Sequence, residues 1–253
     1  MDILLTNDDG IHATGLRALY NALTEAGNRV RVVAPMTEQS AVGHAVTLSL
    51  PLRIKPVREN GFEGLGVLGT PVDCVKLALG NLLSDPPDLV ISGINSGANV
   101  GVDILYSGTV SAATEGALAG FPAMAVSIDD FNPQDLSGQA EFVADFLTTL
   151  FLENIPPRCV LNLNFPNCSM KEAKGLRVCP QTDAVYSDWY DERRDPRGGS
   201  YYWLNGQIPP EMVGRDTDRG LLTRKYVTLT PLRFDFTDNQ TLERLKSLFP
   251  GEG

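Results

Sequence analysis

The first 33 residues carry the pattern that most restricts the fold, because two strand-like segments flank one amphipathic helix. Residues 3–5 and 29–33 are short and rich in aliphatic side chains, whereas residues 14–26 place Leu16, Leu19 and Leu23 on one helical face. Gly27 is a natural stop for that helix. A strand–helix–strand unit of this length implies a right-handed crossover between parallel strands.

Later segments continue the alternation. Strands are predicted at 46–57, 88–94, 122–128, 159–164, 176–179 and 226–232, and helices at 70–83, 110–119, 237–248 and within 139–151. We therefore expect an α/β fold, a Rossmann-like three-layer sandwich with a mostly parallel sheet. The length of 253 residues favours a single domain with a core over about residues 1–180. A C-terminal β-hairpin and helix extension follows at about residues 181–253, with Asn205-Gly206 as the hairpin turn signal.

Composition narrows the class of partner and the compartment. The net charge of −10, from 31 acids and 21 bases, argues against duplex nucleic acid or an anionic membrane, because both are bound through basic patches. The four cysteines form no C-x-x-C pair and no Cys/His zinc spacing, which is typical of reduced thiols in a cytoplasm. No signal-peptide pattern is evident, and no apolar run approaches the roughly 20 residues that span a bilayer. We expect a cytoplasmic protein.

Two adjacent acids, Asp8 and Asp9, follow the first strand. Ligands of open α/β sheets bind beyond the carboxyl ends of the strands, so a site is expected there. Asp-Gly is also a common turn, and that alternative stays open. Because a divalent cation would relieve the repulsion between the carboxylates, and their oxygens suit Mg²⁺, Mn²⁺ or Ca²⁺, we interpret the pair as a candidate metal site.

Two more stretches lie beyond strand ends or at a helix start. In residues 93–101, the Asn95 amide oxygen is a candidate neutral metal ligand, and the glycines allow backbone N–H groups to approach an anion. Ser107-Gly108-Thr109 precedes a predicted helix, where a capped N-terminus is also an anion site. A plain strand-to-helix turn and a plain helix cap are the alternatives.

Charge links the metal and anion hypotheses. The loops 7–12, 36–44 and 92–109 contain no Lys or Arg, so a phosphate bound there would need backbone donors, a helix N-terminus and a divalent metal. His12 and His44 lie in two of these loops and are candidates for supporting a ligand or transferring a proton.

Other nucleotide and hydrolase signatures are weak or absent. Gly64, Gly66 and Gly69 match G-x-G-x-x-G with Asp85 downstream, but no buried strand is predicted before them, so a nicotinamide dehydrogenase has little support. The sequence contains neither a G-x-x-x-x-G-K-[ST] loop nor a G-x-S-x-G elbow.

Five motifs in a fixed order carry a family resemblance. They are residues 3–10 (ILLTNDDG), Ala34-Pro35 with Gln39-Ser40, residues 69–75 (GTPVDCV), residues 92–99 (SGINSGAN) and residues 106–110 (YSGTV). Weaker matches, at residues 163–166 and Thr182-Asp183, carry it further along the chain. The chain resembles the SurE family of 5′-nucleotidases.

The resemblance implies a phosphatase that hydrolyses nucleoside 5′-monophosphates to nucleoside and phosphate, with 3′-monophosphates and short polyphosphate as further substrates. It implies one divalent cation per subunit, Mg²⁺ or Mn²⁺ with Ca²⁺ as a substitute in crystals, held by Asp8, Asp9, Ser40 and Asn95. The implied phosphate-binding residues are Asn95, Ser96, Ser107, Gly108 and Thr109. The C-terminal hairpin and helix are expected to join subunits into a homodimer or homotetramer.

Our mechanistic hypothesis assigns the catalytic roles to Asp8 and Asp9, with Asp9 as the acceptor of a proton from the attacking water. Two alternatives remain: an aspartyl-phosphate route with Asp8 as nucleophile, and a non-enzymatic flavodoxin-like module that senses a nucleotide or a metal. The sequence does not choose between bases, between metals, or between dimer and tetramer.

Overall fold

The computed structural model describes residues 1–150 and 152–249. The strands are β1 (Asp2–Thr6), β2 (Arg29–Pro35), β3 (Ile54–Glu59), β4 (Phe62–Val67), β5 (Leu89–Ser96), β6 (Ala123–Ile128), β7 (Cys159–Phe165), β8 (Leu176–Val178), β9 (Ser187–Arg194), β10 (Ser200–Gln207) and β11 (Val227–Arg233). The helices are α1 (Thr14–Glu25), α2 (Pro71–Leu77), α3 (Gly108–Leu118), α4 (Ser137–Thr149), α5 (Asp218–Leu222) and α6 (Asn239–Leu248). Shorter helical turns span Ala78–Leu82, Gly101–Leu105, Leu152–Asn154 and Pro210–Met212.

The predicted parallel α/β sheet is confirmed. Within the described residues, nine strands run in the order β3-β4-β2-β1-β5-β6-β7-β11-β8. β1 pairs in parallel with β2 on one side and with β5 on the other, and β6 pairs in parallel with β5 and β7. The chain therefore changes its direction of growth at β1, and a crevice opens there between the loops that follow β1 and β5.

Alternating side chains of β1 hold the three layers together. Ile3 and Leu5 are fully buried in one apolar cluster with residues of α1 and α4. Leu4 is fully buried in a second cluster with residues of α2 and α3. Since successive side chains of a strand point to opposite faces, β1 anchors both helical layers to the sheet.

The first half of the chain differs from the predictions in the region of residues 46–67. Of the predicted strand 46–57, only residues 54–57 are in a strand, as part of the edge strand β3. The two prolines of this stretch explain the edge position, since proline has no N–H group to donate to a neighbouring strand. β4 was not expected at all. It pairs with β3 across Asn60 and Gly61, whose positive φ angles of 47° and 83° make a tight hairpin turn.

The glycine motif 64–69 therefore lies largely in a strand. A Cβ at Gly66 would come within 2.0 Å of the Met36 sulfur, and one at Gly64 within 3.0 Å of Val32 Cβ. Glycine at these two positions leaves room for the side chains of Met36 and Val32. The structure therefore supports no dinucleotide-binding loop here.

The C-terminal hairpin is present, but its predicted turn is wrong. Among residues 1–150 and 152–249, β9 and β10 pair only with each other, and Asn205 and Gly206 lie inside β10. The turn is formed by residues 195–199, where the Asp195 carboxylate accepts the N–H groups of Arg197 and Gly199 at 2.8 and 2.9 Å. An aspartate that bonds backbone N–H groups stabilises a longer loop, which an Asn-Gly search does not detect.

Residue 180 does not separate the sheet from the rest of the chain. β11 lies between β7 and β8, antiparallel to β7 and parallel to β8, so a strand beyond residue 180 completes the main sheet. The predicted helix within 139–151 is α4, and Phe151 lies outside the described residues. Among those residues, no helix combines the length and apolar character needed to cross a membrane.

The predicted start of the helix at residue 70 is confirmed as a reciprocal cap. The Thr70 hydroxyl accepts the Asp73 N–H at 3.1 Å, and the Asp73 carboxylate accepts the Thr70 N–H at 2.9 Å. Asp73 also accepts the backbone N–H and the hydroxyl of Thr47. Burial raises the pKa of Asp73, but the hydrogen bonds from Thr47 and Thr70 outweigh it and hold the pKa below its usual range. The α-helix ends at Leu77, earlier than predicted, and a π-helical turn over Ala78–Leu82 follows it.

Replacing Asp73 with Asn is expected to lower the free energy of unfolding at neutral pH by about 1–3 kcal/mol, because an NH2 group takes the place of one of the two acceptor oxygens and the negative charge that strengthens the bonds from Thr47 and Thr70 is lost. A group whose pKa is depressed by folding contributes stability above its unfolded-state pKa and loses it as pH falls through the folded-state pKa. Urea titrations should therefore show a difference at about pH 7 that shrinks towards about pH 3. Asp145→Asn, at an exposed position of α4, is the matched control. An equal difference at both pH values would contradict the assignment.

Candidate functional site

The loop after β1 forms the floor of the site. Asp8 is only 5% exposed, and Asp9 is half-buried. The Asn7 side-chain amide donates to the Gly10 carbonyl at 2.9 Å, which closes the turn. Gly10 has φ +96°, and a Cβ there would lie 3.2 Å from the Thr37 carbonyl carbon, so the loop after β2 packs directly against this turn.

The loop after β2 carries Ser40 to the site. The Gln39 N–H donates to the Asp8 carbonyl at 2.8 Å, and the Ile11 N–H donates to the Pro35 carbonyl at 2.8 Å. These bonds hold the first two strand-end loops together. The Ser40 hydroxyl donates to the Glu38 carboxylate at 2.5 Å, so this loop also brings a third acid to the site.

The first turn of α3 lies on Asp8. The Thr109 hydroxyl is fully buried and donates to the Asp8 carboxylate. A Cβ at Gly108 would lie 2.8 Å from Asp8 Cβ and 2.9 Å from Asp8 Oδ2, so only glycine permits this approach. Ser107 caps the helix by accepting the Val110 N–H at 3.0 Å.

The last residues of β5 complete the site. The Ser96 N–H donates to the Asp9 carboxylate at 3.1 Å, which links the ends of β1 and β5. The Asn95 side-chain nitrogen donates to the Gly97 carbonyl at 2.7 Å and leaves its Oδ1 to accept or to bind a cation.

These loops enclose a cavity of about 720 Å³. The predicted residues that line it are Asp8, Asp9, Ser40, Asn95, Ser96 and Ser107. Gly108 and Thr109 are not part of its lining but contact Asp8 from behind. The structure thus brings all the predicted site residues to one place.

The two histidines lie elsewhere. His12 is half-exposed and lies 3.4 Å from a Glu59 carboxylate oxygen. His44 Nε2 lies 2.9 Å from Glu115 Oε2 and lines a second cavity, of about 1050 Å³. Neither histidine lines the cavity of the acid pair.

The electrostatics favour a bound cation. Burial raises the pKa of Asp8, against hydrogen bonds from the Thr109 hydroxyl and backbone that lower it. Burial and then the charge of Asp8 raise the pKa of Asp9 to about 6, although the Ser96 N–H lowers it. Glu38 adds a third negative charge, and no lysine or arginine of the described residues lines the cavity.

The donor set fits a hard divalent cation. No group of three or more His, Cys, Asp or Glu side chains suited to a metal is found within residues 1–150 and 152–249. A metal here would therefore be bound by two carboxylates together with neutral oxygens such as those of Ser40 and Asn95. Oxygen donors of this kind suit Mg²⁺ or Mn²⁺, and the ion would offset the charge of the buried acids.

Sequence reasoning missed several residues that line this cavity. They are Glu38, Asp103, Tyr106, Phe131 and Tyr186. A sequence signal for Phe131 existed, because it follows the end of β6 just as Asp8 follows the end of β1. Tyr186 could not, since it lies 90 residues beyond Ser96 in the chain and carries no local signal.

Comparisons with known proteins place the chain beside one protein family. A family model described as "Survival protein SurE" matches residues 3–188. A "5′-nucleotidase SurE" of Nitratidesulfovibrio vulgaris (strain DSM 19637 / Miyazaki F) is 66% identical over 97% of this chain and 91% of its own length. One of Maridesulfovibrio salexigens is 59% identical over 98% of this chain and 99% of its own. The crystal structure of a SurE protein from Aquifex aeolicus, at 36% identity, superposes with a TM-score of 0.84 over 98% of this chain and 99% of its own.

Gly108→Ala tests the close approach of α3 to Asp8. Alanine favours helices, yet its Cβ would overlap Asp8, so the free energy of unfolding is expected to fall by about 1–3 kcal/mol. Gly80→Ala is the matched control, because a Cβ there meets no atom within 4 Å. Urea denaturation of both variants measures the difference, and a Gly108→Ala protein as stable as the control would contradict the packing described.

Proposed function

The chain belongs to the SurE family, and we propose that it is a 5′-nucleotidase, a phosphatase that hydrolyses nucleoside 5′-monophosphates to nucleoside and phosphate. The observation that carries the proposal is the buried acid pair beneath the N-terminus of α3, in a cavity at the topological switch point. Relatives named 5′-nucleotidase match nearly the whole chain, which supports the same activity here. We extend the proposal to 3′-monophosphates and short polyphosphate as further substrates.

We propose that Asp8, Asp9, Ser40 and Asn95 hold one Mg²⁺ or Mn²⁺. When bound, such an ion supplies positive charge that polarises a phosphoryl oxygen and acidifies water. Its charge also offsets the repulsion between the acids, which the side chains of the cavity do not.

Phosphate would be bound by neutral donors. Ser107 accepts the Val110 N–H through its oxygen and so keeps its O–H to donate to a phosphoryl oxygen. The Gly108 N–H and the N-terminal end of α3 favour negative charge, and the Ser96 hydroxyl and Asn95 line the same cavity. We also assign Thr109 to the phosphate-binding residues, and in the structure its hydroxyl donates a hydrogen bond to the Asp8 carboxylate.

Asp9 is our candidate for accepting the proton of the attacking water. It is the more exposed acid of the pair and lines the cavity, whereas Asp8 is nearly fully buried. The contacts of Asp8 with Thr109 and Gly108 favour a role as cation ligand over a role as nucleophile. A purely sensing module is the less favoured alternative, because the similar proteins carry the name of an enzyme.

The C-terminal hairpin is our candidate for subunit association, into a dimer or a tetramer. The register of β9 and β10 places Trp189, Trp203 and Tyr201 on one face and Tyr190, Tyr202 and Leu204 on the other, all exposed. Apolar side chains on both faces of an uncovered ribbon are typical of an interaction surface. We assign residues 181–253, apart from the strand β11, to this extension of a single domain.

We also propose a cytoplasmic location. All four cysteines are free, as thiols are in a reducing compartment.

Asp8→Asn is expected to lower Mg²⁺- or Mn²⁺-dependent release of phosphate from adenosine 5′-monophosphate by roughly 100-fold or more, because a charge that holds the reacting centre is removed. Asparagine keeps the shape and can still accept from Thr109, so the fold should persist. Phosphate release is measured across a panel of metals and monophosphates, with Asp145→Asn as control. Near-normal turnover by Asp8→Asn would refute the metal assignment.

Trp203→Ser is expected to shift the protein towards smaller species, because a large exposed anchor of the hairpin is lost. Sedimentation over a range of concentrations measures the change. Leu48→Ser removes an even more exposed apolar side chain outside the hairpin and should leave the distribution unchanged. Identical distributions for both variants and the parent would exclude the hairpin as the association surface.

A further inference from the structure

The cavity of the acid pair is larger than a phosphate and a cation require, and its lining combines polar and aromatic side chains. Pockets of about 300–1,000 Å³ bury most of a whole small-molecule ligand, and this cavity, at about 720 Å³, lies in that range. Polar groups of the loop after β1 and of the end of β5 line it. Three aromatic side chains, Tyr106, Phe131 and Tyr186, also line the cavity, and each is exposed.

Phe131 is the most exposed of the three, at 87%. It follows the end of β6, in a loop ordered by its own polar contacts. The Asp130 carboxylate accepts the Asn132 N–H at 2.9 Å, the Asn132 carbonyl accepts the Gln134 side-chain N–H at 3.0 Å, and the Asp129 N–H donates to the Phe165 carbonyl at 2.9 Å. The ring is therefore presented by a formed loop rather than by an unstructured one.

One edge of the Phe131 ring contacts Gly97, which directly follows Asn95 and Ser96 at the end of β5. A Cβ at Gly97 would lie 2.9 Å from Phe131 Cε1 and 3.2 Å from Cδ1, so glycine makes room for the ring. The Gly97 N–H donates to the Ile128 carbonyl at 2.9 Å, which joins this segment to the end of β6. The ring thus lies beside the proposed phosphate-binding residues and is held there by the same two strands.

The remaining surface of the ring is open. Within residues 1–150 and 152–249, Phe131 forms no stacked or edge-on pair with another aromatic side chain. An apolar ring left in water is unfavourable, and a flat ligand that covers it regains that free energy. Every nucleobase has an aromatic face, and stacking on a protein ring tolerates different bases.

We propose that Phe131 is the base-stacking residue of this site, and that it makes the enzyme prefer nucleotides over phosphate esters that lack a base. The inference rests on the proposed function, because it takes the phosphate of the same substrate to lie at the acid pair. The acids Asp103 and Glu38 line the cavity as well, so the chain offers the base an aromatic surface without a cationic side chain.

Phe131→Ala is the test, assayed with Mn²⁺ on adenosine 5′-monophosphate, cytidine 5′-monophosphate and ribose 5-phosphate. Loss of stacking should raise KM for both nucleotides by roughly 5- to 100-fold with kcat little changed. KM for ribose 5-phosphate should stay the same. Phe131→Trp should restore the nucleotide KM, because a larger ring stacks at least as well.

Two controls separate the alternatives. Phe236→Ala removes a ring that is 77% exposed in the second cavity and should leave all three substrates unaffected. Sedimentation of Phe131→Ala checks whether the ring is instead covered by a second copy of the chain. A KM that rises equally for all three substrates, an unchanged nucleotide KM, or a changed oligomeric state with no substrate preference would overturn the proposal.

The outcome is separable from that of the proposed function. If the parent protein releases phosphate from none of the three substrates, the nucleotidase proposal fails. Calorimetric titration with adenosine 5′-monophosphate then still tests Phe131. Weaker binding by Phe131→Ala than by the parent, restored in Phe131→Trp, supports the stacking role, and equal binding refutes it.

Discussion

The contact between the Asp8 carboxylate and the first turn of α3 is the constraint on which the rest of the site depends. It requires a glycine at position 108, because any Cβ there would overlap the aspartate. It is completed by the Thr109 hydroxyl, which is buried and donates to the carboxylate. A charged group is thereby held at low exposure beneath a helix N-terminus, where the partial positive charge of the helix partly compensates for its lost hydration.

The segments of the site are joined by hydrogen bonds from backbone N–H groups rather than by side-chain ion pairs. The Asp8 carbonyl accepts from Gln39, and the Asp9 carboxylate accepts from the Ser96 N–H. The acids therefore remain uncompensated by any cationic side chain of the described cavity, which suits a site built for a divalent ion and an anionic substrate. In a 5′-nucleotidase, the bound cation would then balance the charges of the acids and of the anionic substrate.

Local sequence signals predicted most of the fold, and they gave a wrong result where more than one segment could form a hairpin turn. Thr70, Pro71 and Asp73 predicted a capped helix start, and the structure confirms it, because all three act within one turn. Asn205-Gly206 predicted a hairpin turn and was wrong, since a turn at 195–199 is stabilised by the side chain of Asp195. Asn60-Gly61, which was not singled out, makes a tight turn instead. Turn propensity alone does not decide which of two such pairs turns, because strand pairing over the whole sheet selects the register.

The sequence by itself determined the chemistry available at the strand ends: a pair of acids, an asparagine, serines and a glycine, with no lysine or arginine among them. It also determined the parallel sheet, because a strand–helix–strand unit leaves little choice of handedness. Only the tertiary structure decided that these residues share one cavity, that Thr109 serves Asp8, that His12 and His44 lie outside, and that Phe131 and Tyr186 join the site. The physical reason is that such contacts join residues 87 to 101 positions apart in the chain, where no local spacing records which loops meet.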